Sequence, residues 1–503
     1  MELLYMILIS SVLTCVSLYY VFNNIHVAGG MKNVKLDRHP LPPGSTGWPI
    51  IGETLEYLST AKKGVPENFV LDRINKYLSS AGNSCKVFKT SLLLQDMAVL
   101  CTAGGNKFLF SNEEKLVKSW WPAYLDKLIV GNSEKTLNIT EESNRFRMIL
   151  APYLKPAGLQ KYIGTMDSVT KKYLVTYCDH KDQVKVHQHA KKYAFTLACK
   201  LMLDTEDPQL LGKLQRLLKD LSSGFTALPI DLPGTTFNRA IRGSRQLREE
   251  IEKIVVERRI KLSTASANSM VDEDGDHGDM LSSLLMEETY SDGKQITESE
   301  IADKLYGVIV AGHDSLSSAL TTIMMYLAEL PQVYDAVLKE QMEIANSKAA
   351  GELLNWGDVQ KMKYSWSVAC EAMRLLPPSL GTFREATTDF VYEGHLIPKG
   401  MKLHWHPHST HKNPECFPNP EKFDPSRFEG QGPPPFAFVP FGGGPRMCPG
   451  KEYARLKILV FMHNVVTKYK WDKVFPDEKF IWTPVLLPTK GLPIKLFPHN
   501  KSK

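Results

Sequence analysis

The apolar positions of this chain change their pattern several times between its two ends. Leu3 to Phe22 is a run of 20 residues without a charge. At about 1.5 Å of rise per residue, a helix of that length spans roughly 30 Å, the hydrocarbon thickness of a bilayer. Glu2 is the only charged side chain before the run, and Lys32, Lys35 and Arg38 come after it. The bias of basic residues therefore places the remainder of the chain on the cytosolic side. A cleaved signal peptide would carry a basic start and a small-residue cleavage site, and neither is present. The pattern predicts an uncleaved anchor over residues 1–25.

Residues 26–50 are basic and then proline-rich. Pro40-Leu-Pro-Pro-Gly-Ser-Thr-Gly-Trp-Pro49 resists helix and reads as a stiff extended linker. From residue 51 to residue 503 the chain reads as one globular body. Residues 85–102 hold short β-like runs such as Lys86-Val-Phe-Lys-Thr90. Between about 113 and 345 the apolar spacing is mostly three and four. Gln215–Lys219, Leu247–Lys261 and Ile301–Leu330 all read as helix. Leu228-Pro-Ile-Asp-Leu-Pro-Gly234 reads as a loop between two helices, and Tyr453–Val466 as a late helix. The stretch from Pro398 to Pro449 is rich in proline and in loops. The expected fold is mainly α with a minor β portion.

Composition narrows this reading only modestly. Apolar residues are 43% of the chain and charged residues 23%, ordinary for a large core. A net charge of +6 suits a membrane surface or an acidic protein partner and is too small to argue for nucleic acid. The eight cysteines, Cys15, Cys85, Cys101, Cys178, Cys199, Cys370, Cys416 and Cys448, are scattered without a CxxC pair. They read as reduced thiols rather than a disulfide framework, in keeping with a cytosolic body. In that topology the sequon Asn138-Ile-Thr140 would be inert. Val271-Asp-Glu-Asp-Gly-Asp-His-Gly-Asp279 lacks the glutamate that completes a calcium loop and reads as a solvated segment. His404, His406, His408 and His411 alternate on a β-like stretch, but no cysteine or carboxylate completes a metal site, so they read as structural or surface residues.

One cysteine has surroundings of a different kind. In Phe441-Gly-Gly-Gly-Pro-Arg-Met-Cys-Pro-Gly450, three glycines let backbone approach a flat ligand and two prolines stiffen the loop. Arg446 can reach a carboxylate. Backbone N–H groups turned toward sulfur, with a helix N-terminus behind them, favour a thiolate at Cys448. A thiolate is the ligand that pushes electron density onto a haem iron.

Through Phe441, Gly444, Arg446, Cys448 and Gly450, the chain resembles the cytochrome P450 superfamily, over nearly all of residues 40–500. Glu371-Ala-Met-Arg374 matches the family's E-x-x-R pair, whose spacing puts both side chains on one helix face. Arg427 matches the arginine that completes that buried network, a fold-holding role. In Ala311-Gly-His-Asp-Ser-Leu316 the resemblance implies a helix across the distal haem face. Gly312 would let it open beside bound O2, Asp314 would serve proton delivery and Ser315 would hydrogen-bond the bound oxygen. Serine departs from the usual threonine there. It keeps the hydroxyl and loses the methyl that limits its rotamers. Arg147, in Ser143-Asn-Arg-Phe-Arg147, and Arg384 match propionate contacts, with Ser143 in place of the family's tryptophan.

Leu41-Pro-Pro-Gly-Ser-Thr-Gly-Trp-Pro-Ile-Ile-Gly-Glu-Thr54, Gly105-Asn-Lys-Phe-Leu-Phe-Ser111, Leu354-Asn-Trp356, Met362-Lys-Tyr-Ser365 and Phe428-Glu-Gly430 resemble one plant group, the triterpenoid oxidases acting on β-amyrin or dammarane skeletons, with taxane hydroxylases as relatives. The resemblance implies a haem b monooxygenase in the endoplasmic reticulum membrane. It would insert one atom of O2 into a C–H bond of a polycyclic terpenoid, with electrons from NADPH through a flavoprotein reductase. Candidate substrate-lining residues are Trp120-Trp121, Phe225 to Pro233, Val308 to Ala311 and Leu380 to Phe383. Other readings remain open: a taxane-like diterpenoid or sterol as substrate, a haem-thiolate isomerase or dehydratase that needs no external electrons, and a haem-binding sensor or carrier.

Overall fold

A computed structural model of the chain describes residues 39–49, 51–81, 86–129, 153–179, 181–267, 280–286 and 296–499, together with Thr14, Arg147 and Leu150. The expected anchor Leu3–Phe22 apart from Thr14, Cys15, Cys85, the sequon at 138–140, Ser143 and the acidic stretch 271–279 lie outside these residues. Among the described residues, no helix is long and apolar enough to cross a membrane.

The helices of six or more residues are α1 Thr54–Lys63, α2 Glu67–Ala81, α3 Ala103–Ser111, α4 Ala123–Ile129, α5 Ile163–Tyr177, α6 Val186–Leu203, α7 Pro208–Gly224, α8 Thr236–Ala267, α9 Met280–Met286, α10 Glu298–Glu329, α11 Pro331–Asn346, α12 Trp356–Lys361, α13 Lys363–Leu375 and α14 Lys451–Val466. The predicted helical stretches fall in α7, α8 and α10, and Leu228–Gly234 links α7 to α8. The last helix starts two residues before the expected Tyr453, because Gly450 rather than Glu452 ends the preceding turn.

Strong local signals set the start of α10. Thr297 accepts from the Glu300 amide while the Glu300 side chain returns to the Thr297 amide, a capping box. The helix buries residues around most of its circumference, among them Leu305, Ile309, Leu320 and Ile323. That is the pattern of a helix through the middle of a core. It packs against α6, α8, α13 and α14.

The main sheet uses β1 Val87–Leu92, β2 Gln95–Leu100, β3 Val117–Trp120, β4 Thr382–Ala386 and β5 Lys402–Trp405, in the order β1-β2-β5-β4-β3. All its pairings are antiparallel except β2 with β5. Side chains alternate across it. Met97 and Val99 of β2 join Phe69, Phe88 and Leu92 on one face, while Ala98 and Leu100 join Phe110, Leu403 and Trp405 on the other. Three small sheets flank this core, the largest built from Gln183–Lys185, Pro493–Pro498 and Tyr469–Lys473.

The proline-rich segment, expected as a linker, is laid on the sheet. The Lys89 amide donates to the Pro43 carbonyl at 2.7 Å, and Gly44 bridges Lys89. A Cβ on Gly44 would stand 1.9 Å from the Lys89 carbonyl oxygen, so only glycine admits this approach.

Candidate active site

The Cys448 loop leaves the core at Val439 and enters α14 at Lys451. The Cys448 amide donates to the Phe441 carbonyl at 2.8 Å, closing the loop on itself. Gly444 has φ +63°, and a Cβ there would meet the Phe110 carbonyl oxygen at 2.2 Å. The loop is thereby pressed onto α3 by a residue that no L side chain can replace. Gly450 caps α14.

Cys448 is solvent-accessible at the residue level. Even so, the surrounding protein buries the thiol enough to push its pKa up, against the Gly450 backbone N–H and the charge of Arg147. Both opposing groups favour the thiolate, which is the ligating form.

Three arginines converge beside this loop. Arg446 donates to Glu114, and its Nε stands 3.8 Å from Glu113 Oε1. Arg384, on β4, donates from Nε to Glu113 and from Nη1 to Thr382 Oγ1 at 3.0 Å and the Phe383 carbonyl at 2.9 Å. Arg147 is held below its ordinary pKa by burial and then by Arg446, while Cys448 and Glu113 act the other way. Its Nε is buried without a hydrogen-bond partner among the described residues. A thiol next to clustered guanidinium groups, one with an orphaned buried donor, fits a flat dianionic haem with thiolate ligation.

Across the site, α10 runs unbroken through Ala311–Leu316. The opening expected beside bound O2 would have to form from this continuous helix. What Gly312 provides is space beside it, since a Cβ there would have nothing within 4 Å. Ser315 Oγ donates to the Ala311 carbonyl at 2.8 Å, as serine does in mid-helix.

Asp314 turns toward α6 and α7. Lys191 Nζ lies 2.7 Å from its Oδ1, and the Ser222 hydroxyl donates to Oδ2 at 3.3 Å. His313 Nδ1 is 3.2 Å away without hydrogen-bond geometry. Burial opposes the Asp314 charge, but His313 and Lys191 overcome it and hold the carboxyl well below the usual carboxylate range.

Behind the cysteine loop lies the expected buried network. Arg374 meets Glu371 through two bonds, Nε to Oε2 at 2.7 Å and Nη2 to Oε1 at 2.8 Å, and both side chains are fully buried. Arg427 Nε stands 3.4 Å from Glu371 Oε1, and its Nη2 donates to the Asn419 carbonyl at 3.0 Å. His411 completes the brace. Its Nε2 accepts from the Val439 amide at 2.9 Å, so its Nδ1 carries the proton and donates to the Arg374 carbonyl at 3.1 Å. The E-x-x-R helix is thus tied to Val439, in the coil that leads into the Cys448 loop.

Of the expected lining residues, Trp120 and Phe383 meet edge to face across the β3–β4 pair at 5.8 Å. Ala311 is exposed and Val310 partly so, on the α10 stretch beside Ser315. Leu228, Ile230 and Leu232 are exposed in the α7–α8 loop. Glu113, Lys191 and His411 are the residues the sequence reading missed. Only His411 carried a signal, as one of four clustered histidines.

A helix-rich body with small sheets, a glycine-flanked cysteine beside clustered arginines and a central helix packed on α14, the helix that follows the cysteine, define a haem-thiolate monooxygenase. The chain belongs to the cytochrome P450 family, whose model matches residues 42–496. It is 53% identical to a β-amyrin 28-monooxygenase of Vitis vinifera over 460 residues, 92% of each chain. It is 50% identical to the β-amyrin 28-monooxygenase of Kalopanax septemlobus over 99% of this chain and all of that one. A luvungin A synthase of Citrus sinensis is 45% identical over 99% of this chain and all of that one. Among solved structures, a cyanobacterial cytochrome P450 with retinoic acid bound matches with a TM-score of 0.76 and 29% identity, covering 92% of this chain and all of that one. As in its family, the enzyme uses haem b, which activates O2 for oxygen transfer with electrons from NADPH through a reductase.

Proposed function

We propose that this enzyme oxidises a polycyclic triterpenoid of the β-amyrin type, with the carbon numbered 28 as the first candidate position. The observation that carries this reading is the near full-length identity, about half of all positions, to enzymes named for that reaction. Cys448 is the iron ligand in this reading, with Phe441 and Gly450 shaping its loop. Arg147, Arg384 and Arg446 hold the propionates. Asp314 exchanges protons between the α6–α10 interface and the distal side, and Ser315 orients the distal end through its hydroxyl. Glu371, Arg374 and Arg427 hold the fold. Substrate binding is mainly apolar, at about 25 cal/mol per Å2 buried, so shape selects the carbon presented.

In this reading the N-terminal run 1–25 anchors the enzyme in the endoplasmic reticulum membrane with its body in the cytosol, where a membrane-dissolved triterpenoid and the reductase meet it. The test is expression of the full chain with a reductase in yeast that makes β-amyrin or a dammarane skeleton. Mass spectrometry and NMR should show oxygen added to β-amyrin. An enzyme with an intact ferrous–CO spectrum that leaves both skeletons untouched would overturn the substrate reading. Cys448→Ala should abolish the strongly red-shifted Soret band of that complex, and its retention would overturn the ligand assignment.

A further inference from the structure

Glu113 belongs to none of the family landmarks, yet the fold takes care to place it. The amides of Lys115, Leu116 and Val117 all donate to the Asn112 carbonyl, forming a tight turn after α3, and Glu113 bridges Val117. The turn drives the Glu113 carboxylate inward until its side chain is 1% exposed. Oε2 accepts from Arg384 Nε. Oε1 accepts from the Ser119 hydroxyl at 3.4 Å and stands 3.8 Å from Arg446 Nε. A carboxylate is driven out of water at high cost unless it is paired. This one is paired with two of the three arginines assigned above to the propionates.

Charge and donor geometry say what it does there. Arg147, Arg384 and Arg446 carry three positive charges, and two propionates answer two of them. Glu113 and Glu114 add two further negative charges, on Arg384 and Arg446, and of these two only the Glu113 carboxylate is fully withdrawn from water. Arg384 also has its donors divided. Nε goes to Glu113, Nη1 goes to Thr382 and Phe383, and Nη2 donates to nothing among the described residues. Two of its three nitrogens are fixed by protein, and the planar fork then dictates where the last one points.

We propose that Glu113 is a positioning residue for the haem. It holds Arg384 and Arg446 in the orientation that meets the propionates and sets a buried negative charge against the cluster. This rests on the reading of those arginines as propionate partners. Glu113 would act on the haem only through these arginines, which are its charged partners.

The test uses the full chain loaded with haem, in its parental form and as Glu113→Gln, Glu113→Ala, Glu113→Asp and Arg384→Ala. Two readouts are taken: the rate of haem transfer to an excess of haem-free globin, and the ferric–ferrous midpoint. Glu113→Ala should release haem about tenfold faster. Glu113→Gln keeps the shape and removes the charge. It should shift the ferric–ferrous balance about tenfold toward ferrous at fixed poise, about 59 mV for one electron. Glu113→Asp should restore the midpoint toward the parental value. Parental release and midpoint in both the Gln and Ala variants would overturn the proposal. So would slower release from Glu113→Ala, which would mean that Glu113 merely competes with the propionates for the same donors. Arg384→Ala separates the two readings. Faster release there with unchanged Glu113 variants sinks the Glu113 role alone, whereas parental release there sinks the propionate assignment itself. If Glu113→Ala does not fold, the near-isosteric Gln variant carries both measurements.

Discussion

Lys191 on α6 holds its ammonium 2.7 Å from Asp314 Oδ1 on α10. The carboxylate proposed to exchange protons is therefore clamped in its ionised form by a neighbouring helix, with Ser222 of α7 on its other oxygen. A carboxylate held well below its usual range is a weak base and takes up a proton poorly until the clamp opens. Asp314→Asn should slow NADPH-supported turnover by about a hundredfold, the lower end of the span of a proton-transfer group. The substrate-induced Soret shift should stay unchanged. Lys191→Met removes a cation while leaving the burial, so Asp314 should titrate at higher pH and the acid limb of the rate profile should move upward. Turnover of Asp314→Asn within twofold of the parent would sink the relay.

Ser315 spends its proton on the Ala311 carbonyl at 2.8 Å. The hydroxyl oxygen keeps its lone pairs free to accept. Serine can also leave that rotamer more easily than threonine. Ser315→Ala should raise peroxide released per NADPH consumed, and Ser315→Thr should lower it. Parallel assays of NADPH loss, peroxide and product read this directly. An unchanged ratio in both variants would remove Ser315 from oxygen handling.

The Glu371–Arg374 pair predicts a stability effect of the opposite kind. Glu371→Gln leaves the Arg374 guanidinium fully buried with its countercharge gone. Breaking a buried pair on one side costs about 3–5 kcal/mol. Arg374 also donates to the His411 carbonyl at 2.7 Å, so the loss reaches Val439, ahead of the Cys448 loop. Urea unfolding should show that loss, together with reduced haem content on purification. A parental midpoint in urea would mean that the pair contributes little.

What the sequence revealed and what it hid differ by range. Cys448 and its glycines, and Glu371 with Arg374, act on partners a few residues away, so spacing alone exposed them. Lys191 and Asp314 meet only because α6 packs along α10. Glu113 and Arg384 are 271 residues apart and join through the β3–β4 pair. No local pattern encodes either contact. The proline-rich stretch looked like a linker because its composition forbids helix. Its docking depends on Gly44 meeting β1, which composition does not show.

The histidines on and after β5 yield the last prediction. His404, His406, His408 and His411 are all buried, because β5 is flanked on both sides by β2 and β4 and the short helical turn His408–His411 carries the chain on into the core. His404 stacks on Phe383 at 4.7 Å, and His406 and His408 lie 5.3 Å apart. Burial lowers His404 to about 4 and His411 to about 3, with Arg374 adding to the latter. Burial also lowers His406 and His408 well below the ordinary value, helped by their neighbours in the row. These rings are therefore neutral in the fold. The unfolded chain takes protons at each below about pH 6.5, and the folded chain does not. Their contribution to stability is full above about pH 6.5 and is lost as pH falls toward 4. The slope is about 1.4 kcal/mol per pH unit for each histidine in that window. Urea midpoints measured from about pH 7.5 down to about pH 5 should fall steeply, and His404→Phe, which keeps the stack without a titrating nitrogen, should flatten that fall. An unchanged slope in His404→Phe would show that His404 is already charged in the native protein.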